Sequence, residues 1–281
     1  MSNVNAQDEL VSVVIPTVRL DADLFAAIDS ILAQDYANIE LIVVLDGVPP
    51  NDRLLDLARH HRLELVSLPT NHGTPRALNK GLERATGTYV ARLDADDIAA
   101  PARISRQVTV LRQRPEIVAL GTQGDIIDSN GAVIRPFGTP AGDLRPLLLR
   151  SNPLIHSSMM FRADALATVT GYNEDCTRMQ DYELYLRIAH RGAIEALAEP
   201  LTQYRIHPNQ SSRRSPLFSK STVAIVRARW SLADHLKYPR PKAILEIATW
   251  LAWQALRQAG FVRPRVQTRG LQASQSQRPR R

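Results

Sequence analysis

Three carboxylates stand within four residues of one another, directly after a short apolar stretch. Residues 88–93 are rich in β-branched and aromatic types, which predicts a strand, and Asp94, Asp96 and Asp97 follow its end. Unpaired, these charges would repel one another, whereas Mg²⁺ or Mn²⁺ binds hard oxygen ligands and is commonly shared with substrate phosphates. The pattern therefore predicts a divalent-metal site for a phosphate-bearing ligand. The alternative is a solvated acidic turn, because the motif is short.

The segments around this stretch alternate between strands and helices. Apolar runs predict strands at 11–15, 40–45, 63–68 and 88–93, and apolar residues at helical spacing predict helices at 23–34, 51–61 and 74–85. Such alternation predicts a parallel sheet with right-handed crossovers. Asp46, Asn71 and Asp94 each follow a strand. Because α/β sheets bind ligands beyond the carboxyl ends of their strands, these three side chains are expected to face one crevice.

Two residue types predict where helices begin next to this crevice. Thr74 is suited to the N-cap and Pro75 to the first helical position of the helix at 74–85. Pro101 is expected in the first turn of a helix that follows the carboxylates directly and runs to about residue 114.

The second half of the chain contains shorter segments. Strands are predicted at 117–127, 132–134, 155–161, 193–197 and 202–206, and helices at 143–149, 163–169, 217–236, 242–258 and from 180 onward. The helix that begins at Gln180 carries Asp181 and Glu183 in its first turn, where the helix dipole favours anions. For Asp181, the interpretation without any role in chemistry is that it only caps this helix.

The composition is that of a globular protein in a reducing compartment. Hydrophobic residues make up 44% and charged residues 22% of the chain. The single cysteine, Cys176, excludes a disulfide within the chain. Residues 1–10 lack the basic and apolar regions of a signal peptide, and no apolar run reaches the roughly 18 to 20 residues that span a bilayer. We expect a cytoplasmic protein.

Charge divides the chain into an acidic body and a basic end. Residues 1–210 hold 20 Lys/Arg and 26 Asp/Glu, a net charge of −6, whereas residues 211–281 hold 15 and 2, a net charge of +13. We expect a body at 1–210, a helical extension at 211–262 and a basic, disordered tail at 263–281.

The basic end favours an anionic partner. We expect it to attach to the inner face of a membrane, through its basic residues and through a helix that carries Trp250 and Trp253. The alternative is that both C-terminal helices pack on the body. A nucleic acid is not expected, because no recognition module accompanies the charge.

Taken in order, the motifs resemble those of the family 2 glycosyltransferases with the GT-A fold. The resemblance covers roughly residues 10–208 and rests on 11–17, 46–47, 77–81, 93–97, 180–181 and 204–207. Residues 152–162 resemble members that build bacterial surface polysaccharides and exopolysaccharides. The resemblance implies an α/β GT-A fold in residues 1–210, with a mostly parallel, Rossmann-like nucleotide-binding sheet and an acceptor-side half, followed by the C-terminal helical extension.

The resemblance also implies residues that bind a nucleotide-sugar donor. Pro16 and Thr17 match the loop of the first strand that lines the nucleotide pocket, Asp46 matches an acid that contacts the base, and Asp94 matches an acid on the nucleoside side. Arg76 either binds the diphosphate or lies solvated on its helix. Leu45 departs from the pattern, because family members often have a second acid there.

A catalytic base and metal ligands follow from the same resemblance. Asp96 matches the acid that binds Mn²⁺ or Mg²⁺, His207 a late histidine near the metal and the diphosphate, and Asp181 the catalytic base. Gln180 stands where family members often have Glu.

The implied reaction is an inverting glycosyl transfer to a glycan or lipid-linked acceptor. An acceptor hydroxyl is a weak nucleophile, so a carboxylate has to remove its proton as it attacks. One base and no covalent nucleophile are sufficient when attack comes from the face opposite the diphosphate. The alternatives are a non-catalytic nucleotide-sugar-binding subunit and a haloacid-dehalogenase-like phosphatase, whose Asp-x-Asp motif normally follows the first strand rather than the fourth.

Overall fold

The structure of the protein, a computed structural model, describes residues 9–207 and 219–261. The described strands are β1 (Val11–Thr17), β2 (Ile39–Asp46), β3 (Leu63–Leu68), β4 (Tyr89–Arg92), β5 (Ile98–Ala99), β6 (Ile117–Ile127), β7 (Val133–Phe137), β8 (Met160–Arg162) and β9 (Ala193–Arg205). The described helices are α1 (Ala22–Leu32), α2 (Asp52–His60), α3 (Thr74–Arg84), α4 (Arg103–Gln113), α5 (Arg145–Leu148), α6 (Ala163–Thr168), α7 (Gln180–Ile188), α8 (Lys220–His235) and α9 (Arg240–Gln258). The predicted tail at 263–281 and the predicted start of α8 at residue 217 lie outside the described residues.

The strands form one sheet in the order β3-β2-β1-β4-β8-β6-β9-β5, and β7 pairs with β6. The first four strands are parallel, as the alternation of strands and helices predicts. Strand β8 is antiparallel to both β4 and β6, whereas β6 and β9 are parallel. This insertion of β8 brings residues from the middle of the chain beside the carboxyl end of β4.

Side chains on the two faces of the sheet enter two separate cores. Successive residues of a strand point to opposite faces, so Val13 and Ile15 pack with α1 and α4, while Val14 packs with α3 and α7. The core that contains Val14 also contains Leu232 of α8 and Trp250 of α9, both buried. The C-terminal helices therefore share a core with the sheet.

Four local predictions about the elements are wrong. Gly73, with a φ of 88°, is the N-cap of α3, so Thr74 already lies inside the helix. Pro101 precedes α4, whose N-cap is Ala102, because the chain first forms the short strand β5. Residues 155–161 are not one strand: a 3-10 turn at His156–Ser158 comes before β8. The two strands predicted at 193–197 and 202–206 are the single strand β9, which pairs with β6 through register shifts near Gln123.

Among the residues that the structure describes, no helix combines the length and the apolar character that crossing a bilayer requires.

Candidate active site

The acidic loop after β4 gathers three carboxylates. Asp94, Asp96 and Asp97 each place a carboxylate oxygen within 4.8 Å of the others, with Asp97 buried and the other two partly exposed. Oxygen donors at this separation fit a hard divalent cation such as Mg²⁺ or Mn²⁺. The three carboxylates lie close together in space, and the binding of a metal by this cluster stays a prediction.

A buried arginine and a buried serine hold this loop. Arg92, the last residue of β4, forms an ion pair with Oδ1 of Asp94 and donates from Nη1 to Oγ of Ser157 over 3.1 Å. The Ser157 hydroxyl lies 3.0 Å from Oδ2 of Asp94 and contacts Oδ2 of Asp97. It also accepts the backbone N–H of Asp94. Burial alone would raise the pKa of Asp94, but the charge of Arg92 lowers it below its ordinary value.

The negative charges of Asp96 and Asp97 are offset less completely by their neighbours than that of Asp94. Burial, together with the charge of Asp94, raises the pKa of Asp96, and His207 offsets part of this effect because its Nε2 lies 3.0 Å from Oδ2 of Asp96. The pKa of Asp97 lies well above its ordinary value, because the side chain is buried and faces two other carboxylates. The backbone N–H of Arg205 donates to Oδ1 of Asp97 over 2.7 Å. A cation bound here would relieve the mutual repulsion of these groups.

The predicted base-contacting acid supports a backbone loop. Asp46 is buried and accepts the backbone N–H of His72 over 2.7 Å and that of Gly73 over 2.9 Å. The carboxylate therefore fixes the loop at the carboxyl end of β3 against the end of β2. Contact with a nucleobase stays a prediction for this residue.

The remaining donor-site candidates differ in exposure. Pro16 and Thr17 are buried at the carboxyl end of β1, and the Thr17 hydroxyl donates to the carbonyl of Arg19 over 2.6 Å. Arg76 is exposed on the first turn of α3. The sequence-predicted roles of all three residues stay predictions.

Asp181 lies in the first turn of α7, and a side chain from a remote part of the chain helps to orient it. The side-chain amide of Asn152 donates to its Oδ2 over 2.8 Å, and Oδ1 of the same Asn152 accepts the backbone N–H of Leu154. Burial raises the pKa of Asp181. A carboxylate with a raised pKa and one oxygen held in place has the properties of a general base.

Asp181 and the carboxylates of the acidic loop influence the pKa of a common neighbour, Tyr204. The charge of Arg92 lowers the pKa of both Asp94 and Asp181, against the raising effect of burial in each case. The pKa of Tyr204 is raised first by burial and then by Asp97, Asp94, Asp96 and Asp181. All four carboxylates are therefore near enough to Tyr204 for their charges to act on it.

A comparison with protein families finds one family whose model matches this chain. The family model described as glycosyl transferase family 2 matches residues 12–170, which is more than half of the chain. The chain belongs to glycosyltransferase family 2. The matched range contains β1 to β4, the acidic loop and Ser157.

Relatives of this glycosyltransferase include proteins named for polysaccharide synthesis. The chain is 31% identical over 248 residues to the glycosyltransferase EpsE of Bacillus subtilis, covering 82% of this chain and 87% of EpsE. It is 30% identical over 217 residues to the amylovoran biosynthesis glycosyltransferase AmsE of Erwinia amylovora, covering 75% of this chain and 81% of AmsE. The resemblance stated from the sequence motifs is confirmed.

Solved structures show that the glycosyltransferase has the GT-A fold. Staphylococcus aureus TarS in complex with UDP-GlcNAc matches with a TM-score of 0.65 at 17% identity, covering 90% of this chain and 73% of the TarS chain. The mannosyltransferase PcManGT of Pyrobaculum calidifontis, solved with GDP-Man and Mn²⁺, matches with a TM-score of 0.53 at 20% identity, covering 89% and 84%. The predicted fold class is confirmed.

Several residues of the glycosyltransferase site received no role from the sequence. Arg92, Ser157 and Asn152 each contact a carboxylate of the site, and Arg205 donates its Nε to the carbonyl of Asp96 over 2.8 Å. The sequence did contain an indication for Arg92, because this arginine is a charged residue at the end of an otherwise apolar predicted strand. Asn152 and Ser157 lie in the stretch that resembled polysaccharide-building members, but nothing in the sequence connected them to Asp181 or to Asp94.

Proposed function

We propose that the protein transfers a sugar from a nucleoside-diphosphate sugar to a hydroxyl of a glycan or lipid-linked acceptor in cell-surface polysaccharide synthesis, with inversion at the anomeric carbon. The observation that carries the proposal is that three carboxylates cluster after β4, while Asp181, held by Asn152, is near enough to raise the pKa of Tyr204 together with them. Family membership and the names of relatives in polysaccharide biosynthesis support the reaction class.

The donor side of the proposal rests on the acidic loop. Asp96 and His207 would hold Mn²⁺ or Mg²⁺, with Asp94 and Asp97 close to the same position. When bound, the cation would neutralise charge that develops on the leaving diphosphate. Asp94, fixed by Arg92 and Ser157, would contact the nucleoside, and Pro16, Thr17 and Asp46 would line the pocket at the ends of β1 and β2. Arg76 is exposed at the start of α3 and would meet the diphosphate from there.

The acceptor side rests on Asp181. Asn152 orients the carboxylate of Asp181 through Oδ2, and this carboxylate would accept the proton of the acceptor hydroxyl. The hydroxyl oxygen would then attack the anomeric carbon from the face opposite the diphosphate, which inverts the configuration in one displacement. The raised pKa brings the carboxylate closer to the operating pH, where a general base is most effective.

We propose that this reaction takes place in the cytoplasm at the inner face of the membrane. Support comes from the net charge of +13 over residues 211–281, which favours an anionic surface. Relatives named for exopolysaccharide and O-antigen synthesis agree with an acceptor at that place.

A thermal-shift screen of nucleotide sugars, with and without Mn²⁺, tests the donor site. A ligand at about 100 times its Kd stabilises the folded state by about 2.7 kcal/mol, so a true donor raises the Tm and does so more strongly with metal. The donor found in this way is then incubated with candidate glycan acceptors, and the anomeric configuration of the product is determined by NMR. Retention of configuration would contradict the mechanism, and donor binding without any transfer would favour the alternative of a non-catalytic nucleotide-sugar-binding subunit.

A further inference from the structure

The two C-terminal helices are held on the body by one side of each helix. Ile225 and Leu232 of α8 are fully buried, and Trp250 of α9 packs with its ring centroid 6.3 Å from that of Tyr182 of α7. Arg229 is buried between the helices, where it donates to the carbonyls of Leu149 and Glu246. These contacts leave one side of α8 and one side of α9 uncovered by the other residues that the structure describes.

The free sides form an apolar groove. Val226 and Trp230 of α8 face Ile244, Ile247 and Leu251 of α9 across a groove of about 820 Å³. Trp230 is 43% exposed and Ile244 is 57% exposed. Contiguous exposed apolar side chains of this size mark interaction surfaces rather than ordinary solvent-facing positions.

The rim of the groove is predominantly basic. Arg227 and Arg240 line it, with Asp234 as the one acid among its lining residues. Residues 263–281, which continue the chain after α9, contain six arginines and no acid. A second copy of the chain would bring two such positive faces together, whereas an anionic lipid surface would neutralise them.

We propose that the groove between α8 and α9 is a membrane-docking face that lies on an anionic lipid bilayer, with Trp230 and Ile244 inserted at the boundary between head groups and acyl chains. Apolar insertion and attraction between basic residues and anionic lipids act together at such a face. The proposal rests on the membrane location proposed above and names the surface of the protein that would contact the bilayer. It differs from the sequence prediction in the residues involved, because Trp250 is buried in the body and Trp253 lies against Arg257, 4.7 Å from the guanidinium carbon to the ring centroid.

Vesicle co-sedimentation of the full chain tests this face. We expect binding to vesicles that contain phosphatidylglycerol, weaker binding at high salt, and little binding to phosphatidylcholine alone. The double variant Trp230→Ser/Ile244→Ser is expected to bind about tenfold more weakly, since it removes apolar groups that insert. Val133→Ser, at a 58% exposed apolar position on β7, is the matched control and should bind as the wild type does.

Tryptophan fluorescence separates insertion from simple charge attraction. Insertion shifts the emission of Trp230 to shorter wavelength, so the wild type should show a shift on vesicle binding that Trp230→Phe lacks. If the wild type stays in the supernatant with anionic vesicles at low salt, the proposal is overturned. Undiminished binding of the double variant would also overturn it and would assign attachment to other residues. A concentration-dependent dimer in sedimentation velocity that the double variant abolishes, without vesicle binding, would assign the groove to a second copy.

Donor binding is measured on the same variants by thermal shift. Neither Trp230 nor Ile244 belongs to the proposed donor site, so nucleotide-sugar stabilisation should be unchanged in the double variant. Loss of vesicle binding with intact donor binding in the double variant would therefore support the docking face. Absence of donor binding in the wild type and in every variant would contradict the proposed function without bearing on the docking face.

Discussion

Ser157 is the residue on which the geometry of the acidic loop depends. One hydroxyl oxygen accepts N–H groups from Arg92 and from the backbone of Asp94, and it can donate its single proton to one of two carboxylates at a time. Its contacts join the 3-10 turn before β8 to the acidic loop after β4, across 60 or more positions of the chain. A small polar side chain thus fixes the positions of Asp94 and Asp97, the two carboxylates next to the proposed metal ligand Asp96.

Ser157→Ala is expected to weaken Mn²⁺-dependent nucleotide binding by about tenfold or more, because it leaves buried donors and acceptors unpaired at a cost of about 1–3 kcal/mol. Calorimetric titration of the nucleotide with Mn²⁺ measures this effect. Ser158→Ala is the matched control, since the Ser158 hydroxyl is equally buried but bonds to the backbone of Thr122 and Ile155. Equal losses of affinity in the two variants would show that the effect is only structural.

Asp181→Asn is expected to keep donor binding and to lower transfer by about 10²- to 10⁴-fold, the usual effect of losing a general base. The amide keeps the size of the side chain but cannot take a proton. Single-turnover transfer and donor titration are the two measurements. Asp175→Asn serves as the control, because Asp175 is exposed and paired with Lys220. Loss of transfer in Asp175→Asn, together with near-normal transfer in Asp181→Asn, would assign the role of base to Asp175 instead.

The pH dependence of transfer follows from the direction of one pKa shift. Burial raises the pKa of Asp181, and a general base acts only in its ionised form. Activity should therefore be full above the raised pKa and should fall as the pH drops through it, at a higher pH than an ordinary aspartate would give. A kcat/KM profile measured with saturating Mn²⁺ checks this. An acidic limb at or below the ordinary aspartate value would contradict the assignment.

At the scale of elements, the turn after β2 depends on close backbone approach. Gly47 has a φ of 79°, and a Cβ placed there would lie 2.4 Å from the backbone nitrogen of Asn71. The loop after β3 therefore packs directly on the turn after β2, and Asp46 secures the same loop by accepting two of its N–H groups. This contact sets the wall of the crevice where the donor is proposed to bind.

Gly47→Ala is expected to destabilise the fold by more than the roughly 1–2 kcal/mol of left-handed strain, because the loop must also move away. Gly131→Ala is the matched control, since Gly131 has a φ of 84° with no atom within 4 Å of the added Cβ. Urea unfolding and donor affinity are measured for both variants. The expectation fails if the two lose the same stability and bind the donor equally well.

At the scale of the whole molecule, the C-terminal helices and the sheet share a core. Leu232 of α8 is fully buried in the same cluster as Leu184 and Leu186 of α7, the helix that carries Asp181 in its first turn. The division of the chain near residue 210 stays a prediction. The shared core implies that α8 and the body unfold together.

Leu232→Ala is expected to cost about 2–5 kcal/mol and to lower the Tm of the whole protein in a single transition, as a buried leucine does when it leaves a cavity. Val223→Ala on the same helix should change the stability by less than about 0.5 kcal/mol, because Val223 is 50% exposed. Calorimetry distinguishes the outcomes. Two separate transitions, with only the smaller one shifted, would show that the helices form an independent unit.

The sequence by itself determined the order of the elements and the carboxylate cluster. Apolar runs that alternate with helical patterns predict β1 to β4 with the helices between them, because burial on both faces of a parallel strand requires such runs. Asp94, Asp96 and Asp97 follow one strand, so their proximity is a local property of the chain. The predictions at Thr74 and Pro101 failed by a few residues, because helix ends depend on which backbone conformations the neighbouring loops allow.

Only the tertiary structure decided which remote residues complete the site. Ser157 reaches Asp94 because β8 inserts beside β4, and Asn152 reaches Asp181 because the segment before the 3-10 turn passes the start of α7. The tertiary structure also decided which side of α9 is covered. A helical pattern shows that apolar residues are present, but the shape of the neighbouring surface selects the ones that are buried. Here the body covers Trp250 and leaves Ile244 in solvent.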